Sequence, residues 1–300
     1  MRNWSDKASH FMGKYRRPIN WLVFLIVLLI AIMQIKAFEW SAVDLGLLMN
    51  SWQILLLVAL LVPIHWLLEY RKWSVSVDDS YDAHMTLNAF FSGMITGFIT
   101  PSYLGNFIGR AKVMGKENLR SSIPLTLLGN AAQFTVSIAV GFSGLLISNL
   151  NWLNWPIWVG VFPLLFLPLY LFFDRIPFLE KLVKERGYAV GNLNLRIRLL
   201  ALSFFRFLIF SIQFSLLLGI GSGQWDLGLL PAVWGFYFII TLSPSLFFGK
   251  LFVREGVALI YFQYFSFAPS HILMATLFIW LLNNALPTFF AMMKTRKYAH

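Results

Sequence analysis

A chain of 300 residues that is 58% hydrophobic, 17% aromatic and only 12% charged falls outside the ordinary soluble class, whose domains average about a quarter charged residues. A bilayer removes the difficulty of hiding so much apolar surface, because it is itself the apolar solvent. The lack of Cys excludes a disulfide framework and thiolate metal sites, and the net charge of +11 calls for either a nucleic acid or a topological cause.

Residues 1–18 form a basic arm carrying Arg2, Lys7, Lys14, Arg16 and Arg17. The apolar run behind it has no small-x-small cleavage site, which predicts a retained first helix rather than a removed signal. Apolar runs at 19–35, 46–68, 122–149, 156–173, 199–220 and 271–293 are each about long enough to cross a hydrocarbon core of about 30 Å. Two further regions, 84–119 and 228–264, are apolar but broken by Pro, Gly and charges. A helix over 85–99 reaches only about 22 Å, short of a crossing. Each broken region is therefore predicted to be a pair of short helices, re-entrant or in a tight hairpin.

The expected fold is an all-α polytopic membrane helix bundle forming one integral membrane domain over 1–300. It has about six full spans plus two broken helix pairs, in pseudo-symmetric inverted halves. The first half, 19–173, holds the pair at 84–119, and the second, 199–300, holds the pair at 228–264. A charged cytoplasmic loop, 174–198, joins them, with Phe178, Leu179 and Leu182 against lipid.

Charge placement sets the expected orientation. The basic residues fall in the N-terminal arm, at Arg71 and Lys72, at Arg110 to Arg120, at Arg175 to Arg198 and at Lys294 to Lys297, leaving only Lys36, Arg206, Lys250 and Arg254 elsewhere. With the N-terminus in the cytoplasm these five groups share one side, and the opposite loops hold only Lys36. That is the positive-inside pattern of a cytoplasmic (inner) membrane protein with both termini cytoplasmic. The +11 charge then reads as topology, with no nucleic-acid partner.

The two broken regions resemble each other. The first reads T-P-S-Y-L-G-N-F-I-G-R over 100–110, the second S-P-S-L-F-F-G-K-L-F-V-R-E over 243–255. Each has a hydroxyl residue, Pro, Ser, a Gly, and Arg five residues after that Gly. Thr100 and Ser243 suit an N-cap, and Pro101 and Pro244 suit the first helical position, so a new helix is expected to begin at each. A helix start within the membrane presents unsatisfied N–H groups that can hold an anion. Gly105 and Gly249 allow a neighbour or ligand to approach closely. Lys250 and Arg254 lie four apart on one helical face and repel, while Glu255, about 100° round the helix, is expected to neutralise Arg254 poorly. An anionic ligand resolves that conflict; the alternative is that both cations snorkel to the interface. Arg206 inside the fifth span has the same two readings, phosphate binding or snorkelling, and Arg110 lies close to a cytoplasmic loop. His65, Asn130, Gln133, Gln213, Asn283 and Asn284 either line a cavity or bond helix to helix.

At these motifs the sequence resembles the transmembrane domain of lysylphosphatidylglycerol synthase and flippase proteins, including stand-alone relatives. That family shows P-x-x-x-G-[ED]-x-x-R in its first half and P-x-x-x-G-G-x-G-x-R-E in its second. Pro101, Gly105, Pro244, Gly249, Arg254 and Glu255 match, with Arg110 one position further along, and E-Y-R-K-W at 69–73 also fits. Asn106 stands where the family usually has an acid, and Lys250 and Phe252 where it usually has Gly. The family's aminoacyl-transferase domain has no counterpart before His300, so the resemblance implies no enzyme activity. It implies instead a flippase-like protein that binds or translocates an anionic phospholipid or polyprenyl-linked lipid, with Arg110, Arg254, Lys250 and Arg206 on the phosphate.

Two other readings stand beside it. One is a non-transporting membrane partner of a glycosyltransferase or lipid-modifying enzyme, with the motifs serving packing alone. The other is a membrane enzyme on prenyl phosphates, because D-D-S-Y-D at 78–82 resembles an aspartate-rich Mg²⁺ motif. Asp78, Asp79 and Asp82 are weak metal candidates, since such residues also simply start helices. No cofactor is implied, membrane lipids are the expected partners, and the sequence sets no oligomeric state.

Overall fold

The computed structural model describes residues 45–77, 81–100, 105–115, 119–148, 165–175, 192–222, 228–243 and 251–296. These residues are helical, with no strand among them. In chain order they form α1 (Leu45–Asn50), α2 (Trp52–Ser74), α3 (Ala83–Ile99), α4 (Gly105–Met114), α5 (Leu119–Ile147), α6 (Phe166–Phe172), α7 (Leu193–Ser222), α8 (Leu229–Leu242), α9 (Leu251–Gln263), α10 (Pro269–Trp280) and α11 (Leu286–Arg296). A π-helical turn, Leu281–Ala285, joins α10 to α11 without a break in direction.

Four helical stretches are long and apolar enough to cross a membrane: Trp52–Ser74, Pro124–Ile147, Leu193–Ile220 and Pro269–Lys294. They coincide with four of the six apolar runs read from the sequence. The run at 19–35, half of the run at 156–173 and the greater part of the 174–198 loop, including Phe178, Leu179 and Leu182, lie outside the described residues. The outward surface of α2 explains why water is the wrong solvent. Leu56, Leu60, Ile64 and Leu67 recur at helical spacing, each between 44% and 58% exposed, a continuous apolar stripe of the kind that lipid covers.

The polar residues inside these helices mostly serve the helices. Ser143, Ser211, Thr276 and Thr288 return their hydroxyls to carbonyls three or four residues back, which satisfies them within their own turn. Gln213 donates to the Val58 carbonyl at 3.1 Å and accepts from Asn283 at 3.0 Å, so these two bond helix to helix. Asn192 starts α7 as its N-cap, its side-chain oxygen accepting the Leu195 N–H at 2.9 Å.

Four apolar clusters hold the described helices together, and two of them are the largest. The larger joins α5, α7, α8, α9 and α10 around Phe214, Phe236, Tyr237 and Phe262; Phe214 stacks on Phe236 with ring centres 5.3 Å apart. The smaller joins α2, α3 and α4 through Trp73, Ala89, Phe90 and Met114. In the tight α3–α4 pair, a Cβ at Gly105 would meet the Thr96 carbonyl, and one at Gly109 the Thr96 hydroxyl and the Ser92 carbonyl. Only glycine allows that approach, and the backbones are so close that Thr96 Oγ1 donates across the gap to the Gly105 carbonyl at 2.6 Å. Gly115, at φ +89°, ends α4 in the left-handed conformation that closes many helices.

The helix starts expected at Pro101 and Pro244 lie outside the described residues. Thr100 and Ser243 close α3 and α8 in extended conformation, and the next described helices begin at Gly105 and Leu251. The Thr100 hydroxyl still reaches the new helix, accepting the Gly105 N–H at 2.6 Å. The Ser243 hydroxyl donates back to the Ile239 carbonyl at 2.8 Å. An extended residue ahead of proline is what the proline ring enforces, since it disfavours helical geometry in the residue before it.

Candidate functional site

The site begins on α2. Val58, Val62, His65, Glu69 and Lys72 repeat at three- and four-residue intervals and so share one face of the helix. That face points inward: Val58, Val62, His65 and Lys72 are all buried. The helix runs on past residue 68 to Ser74, so Lys72 does not follow the span into a solvated loop. It is 5% exposed, while its neighbour Arg71 lies on the exposed face. Lys72 therefore leaves the set of solvated cations that the orientation argument used, and Arg110 and Arg196, also buried, leave it too.

Glu69 is the centre. Lys72 Nζ lies 2.7 Å from its Oε2, Arg206 Nε of α7 lies 3.4 Å from the same oxygen, and Arg110 Nη2 of α4 lies 3.8 Å from Oε1. One carboxylate thus faces three cations from three helices. A fourth helix, α5, supplies Gln133, whose side-chain oxygen accepts from Arg206 Nη1 at 3.0 Å. Arg110 is held flat over the Trp73 ring, 4.4 Å from its centre, and the Trp73 indole is fixed by donating to the Thr86 carbonyl at 3.1 Å. Cation–π contact in a desolvated setting orients the guanidinium without neutralising it.

Spare hydrogen-bonding capacity collects here. Among the described residues, Arg110 Nε, Arg206 Nε, Glu69 Oε2, Asn106 Oδ1 and His65 Nδ1 are buried and make no hydrogen bond, and the same holds of the Nε of Arg196 and Arg254 elsewhere. Asn106 and Arg110, one turn apart on α4, lie over Gly93 of α3, where a Cβ would meet Asn106 Oδ1 and come within 2.7 Å of Arg110 Cγ. Buried polar groups ordinarily find partners, and here three cations face one carboxylate, so the cluster has donor capacity beyond what Glu69 takes. Phosphate oxygens match that geometry, because arginine forks bind them bidentately.

The other arginine is arranged differently. Arg254 on α9 is 4% exposed and pairs with Glu255 at 2.7 Å, although Glu255 was expected to neutralise it poorly. The correction is geometric: adjacent Cβ atoms diverge, but a guanidinium on its long stem swings sideways along the helix and reaches the next residue. Tyr237 of α8 lies within the field of Arg254. A row of rings connects the two arginine sites, His65 to Phe210 at 5.5 Å and Phe210 to Tyr237 at 4.8 Å.

Of the residues singled out by sequence, Arg110 and Arg206 meet at Glu69, with Asn106 beside them and Gly105 and Thr100 shaping the α3–α4 contact. Arg206 faces inward, with its side chain 26% exposed. Arg254 and Glu255 form their own pair. Lys250, Pro101, Pro244, Gly249, Asp78 and Asp79 lie outside the described residues. Asp82 is exposed at the start of α3 and makes no side-chain capping bond, and no group of metal-ligating side chains occurs among the described residues. Sequence reading did not single out Glu69, Lys72 or Trp73 as site residues. The signal was there in the unbroken spacing of positions 58, 62, 65, 69 and 72, hidden by ending the span at residue 68.

No family model, no curated protein and no solved structure matches this chain.

Proposed function

We propose that this chain is a flippase-like integral membrane protein that binds and translocates an anionic lipid, taking the lipid phosphate between Arg110, Arg206 and Lys72. The observation that carries the reading is the buried excess of three cations over one carboxylate at Glu69. Uncompensated buried charge is costly, and ionisable groups inside a membrane domain point to a substrate path. The Pro-Gly-Arg resemblance to lysylphosphatidylglycerol synthase and flippase proteins supports the same class.

In this reading the chain has about six full spans, and α3/α4 and α8/α9 are inverted pairs entering from opposite faces of the inner membrane. The basic arm, the loops and both termini are cytoplasmic. Arg254, with Lys250 nearby in sequence, serves a second station along the path, and the ring row from Tyr237 to His65 lies between the stations. The test is movement of a fluorescent anionic lipid between leaflets of vesicles holding the purified chain. Arg110→Ala and Arg206→Ala should each abolish movement while the protein keeps its helical circular dichroism. Wild-type rates in both variants would remove the proposal.

A further inference from the structure

The charge count at Glu69 says more than that an anion binds, and the step that follows rests on the proposed phosphate site. Among the described residues, Lys72, Arg110 and Arg206 set against Glu69 leave two positive charges uncompensated. His65 and Gln133, the other polar groups facing the cluster from α2 and α5, add no negative charge. A phosphodiester headgroup brings one negative charge and would leave the buried site positive. A phosphomonoester brings close to two and balances it.

The oxygen count agrees. A monoester has three terminal oxygens and a diester two, and the cations reach Glu69 from three helices. Arg110 Nε is buried without a hydrogen bond, Arg206 Nε faces Glu69 Oε2 at 3.4 Å, and Lys72 is already engaged at 2.7 Å. Three oxygens let the two arginines take forked pairs that share a single oxygen, which two terminal oxygens allow only by sharing both. Trp73 holds Arg110 from behind, so little side-chain freedom remains to be lost on binding. The four long apolar helices make the bilayer the surroundings of the site, so a lipid is the phosphate source at hand.

We infer that the Glu69 cluster selects a doubly charged phosphate, the headgroup of a phosphomonoester lipid, over the singly charged phosphodiester of ordinary phospholipids.

Competition binding on the full chain in detergent tests this, with native mass spectrometry as readout and equal amounts of phosphatidic acid and phosphatidylglycerol bearing identical acyl chains. Phosphatidic acid should be bound in preference by about tenfold or more, the factor that corresponds to about 1.4 kcal/mol. Lys72→Gln and Arg206→Gln each remove one positive charge from a different helix, and each should bring the preference down toward parity. Having both guards against one variant failing to fold. Equal binding of the two lipids by the wild-type chain, lost in Arg110→Ala, would overturn the selectivity and leave the anion site standing. Binding of neither lipid would overturn both. Millimolar inorganic phosphate is the second arm. Displacement of phosphatidic acid by it would support the doubly charged chemistry with a soluble source, and retention would support it with a lipid source.

Discussion

In the α3/α4 pair the buried arginine shares its carboxylate with two other cations, and that carboxylate comes from α2. In the α8/α9 pair the buried arginine has the next residue in the chain as a private partner at 2.7 Å. The two regions share a sequence pattern and a chain break, yet one holds surplus charge while the described part of the other is balanced. Their packing differs in parallel. The α3 and α4 backbones touch through Gly93, Gly105 and Gly109, whereas α8 gives its close glycine contacts to α5, where Gly141 and Gly144 meet Trp234, Gly235 and Phe238. Surplus charge is found where the hairpin is rigid. A guanidinium that must wait for a ligand has to be held in place by packing, because it lacks the full ion pair that would otherwise fix it.

The strongest way to break this comparison is to remove each carboxylate. Glu69→Ala leaves three buried cations without their anion and should cost about 3–5 kcal/mol, the range for breaking a buried ion pair. Glu255→Ala leaves one such cation and should cost less. Thermal unfolding in detergent, followed by tryptophan fluorescence, gives the ranking; added phosphatidic acid should raise the midpoint of Glu69→Ala more than that of Glu255→Ala. Equal losses would mean that the cluster at Glu69 is not special.

A second contrast sets two glycines against each other. Gly93→Ala forces a methyl onto Asn106 and Arg110 and should destabilise by about 1–3 kcal/mol as overpacking does. Gly256→Ala on α9 meets nothing within 4 Å and should be neutral or stabilise by up to about 1 kcal/mol through helix propensity. Gly93→Ala should also weaken anionic lipid binding, because the methyl displaces Arg110.

Thr96→Val sharpens the picture at smaller scale. It removes the hydroxyl that donates to Gly105 and Ser92 at 2.6 and 2.8 Å, and should cost about 1 kcal/mol, seen in the same unfolding measurement. The smallest effect lies away from both pairs. Arg196 donates to Asp174 at 2.7 Å and holds that carboxyl below its usual range. A depressed carboxyl in the folded state contributes stability above its unfolded value, about 3.9, and loses it as pH falls through the lower folded value. Asp174→Asn should therefore flatten the acid side of the stability profile below about pH 4 and change little at neutral pH. Because the Asp174 side chain is 46% exposed, solvent screening keeps the effect small.

Much of the fold was legible. Long apolar runs with turn signals between them gave the helical class and four of the long helices, because in lipid every buried backbone group must be paired within its own segment. The breaks at Thr100 and Ser243 were legible from proline, whose ring enforces an extended predecessor whatever surrounds it. The site was legible in part: Arg110 and Arg206 stood out as charges in apolar surroundings, while Glu69 and Lys72 looked like the polar end of a span.

What the sequence alone determined is the solvent, the helices and the break points, all of which follow from local composition and backbone geometry. Only the tertiary structure decided which charges meet. Arg110 and Arg206 are 96 positions apart by their numbers, and nothing local couples them. They converge on Glu69 because glycines bring α3 and α4 into contact and because α2 and α7 pack side by side. Coulombic energy depends on distance in space and on the surrounding dielectric, and neither quantity is written along the chain.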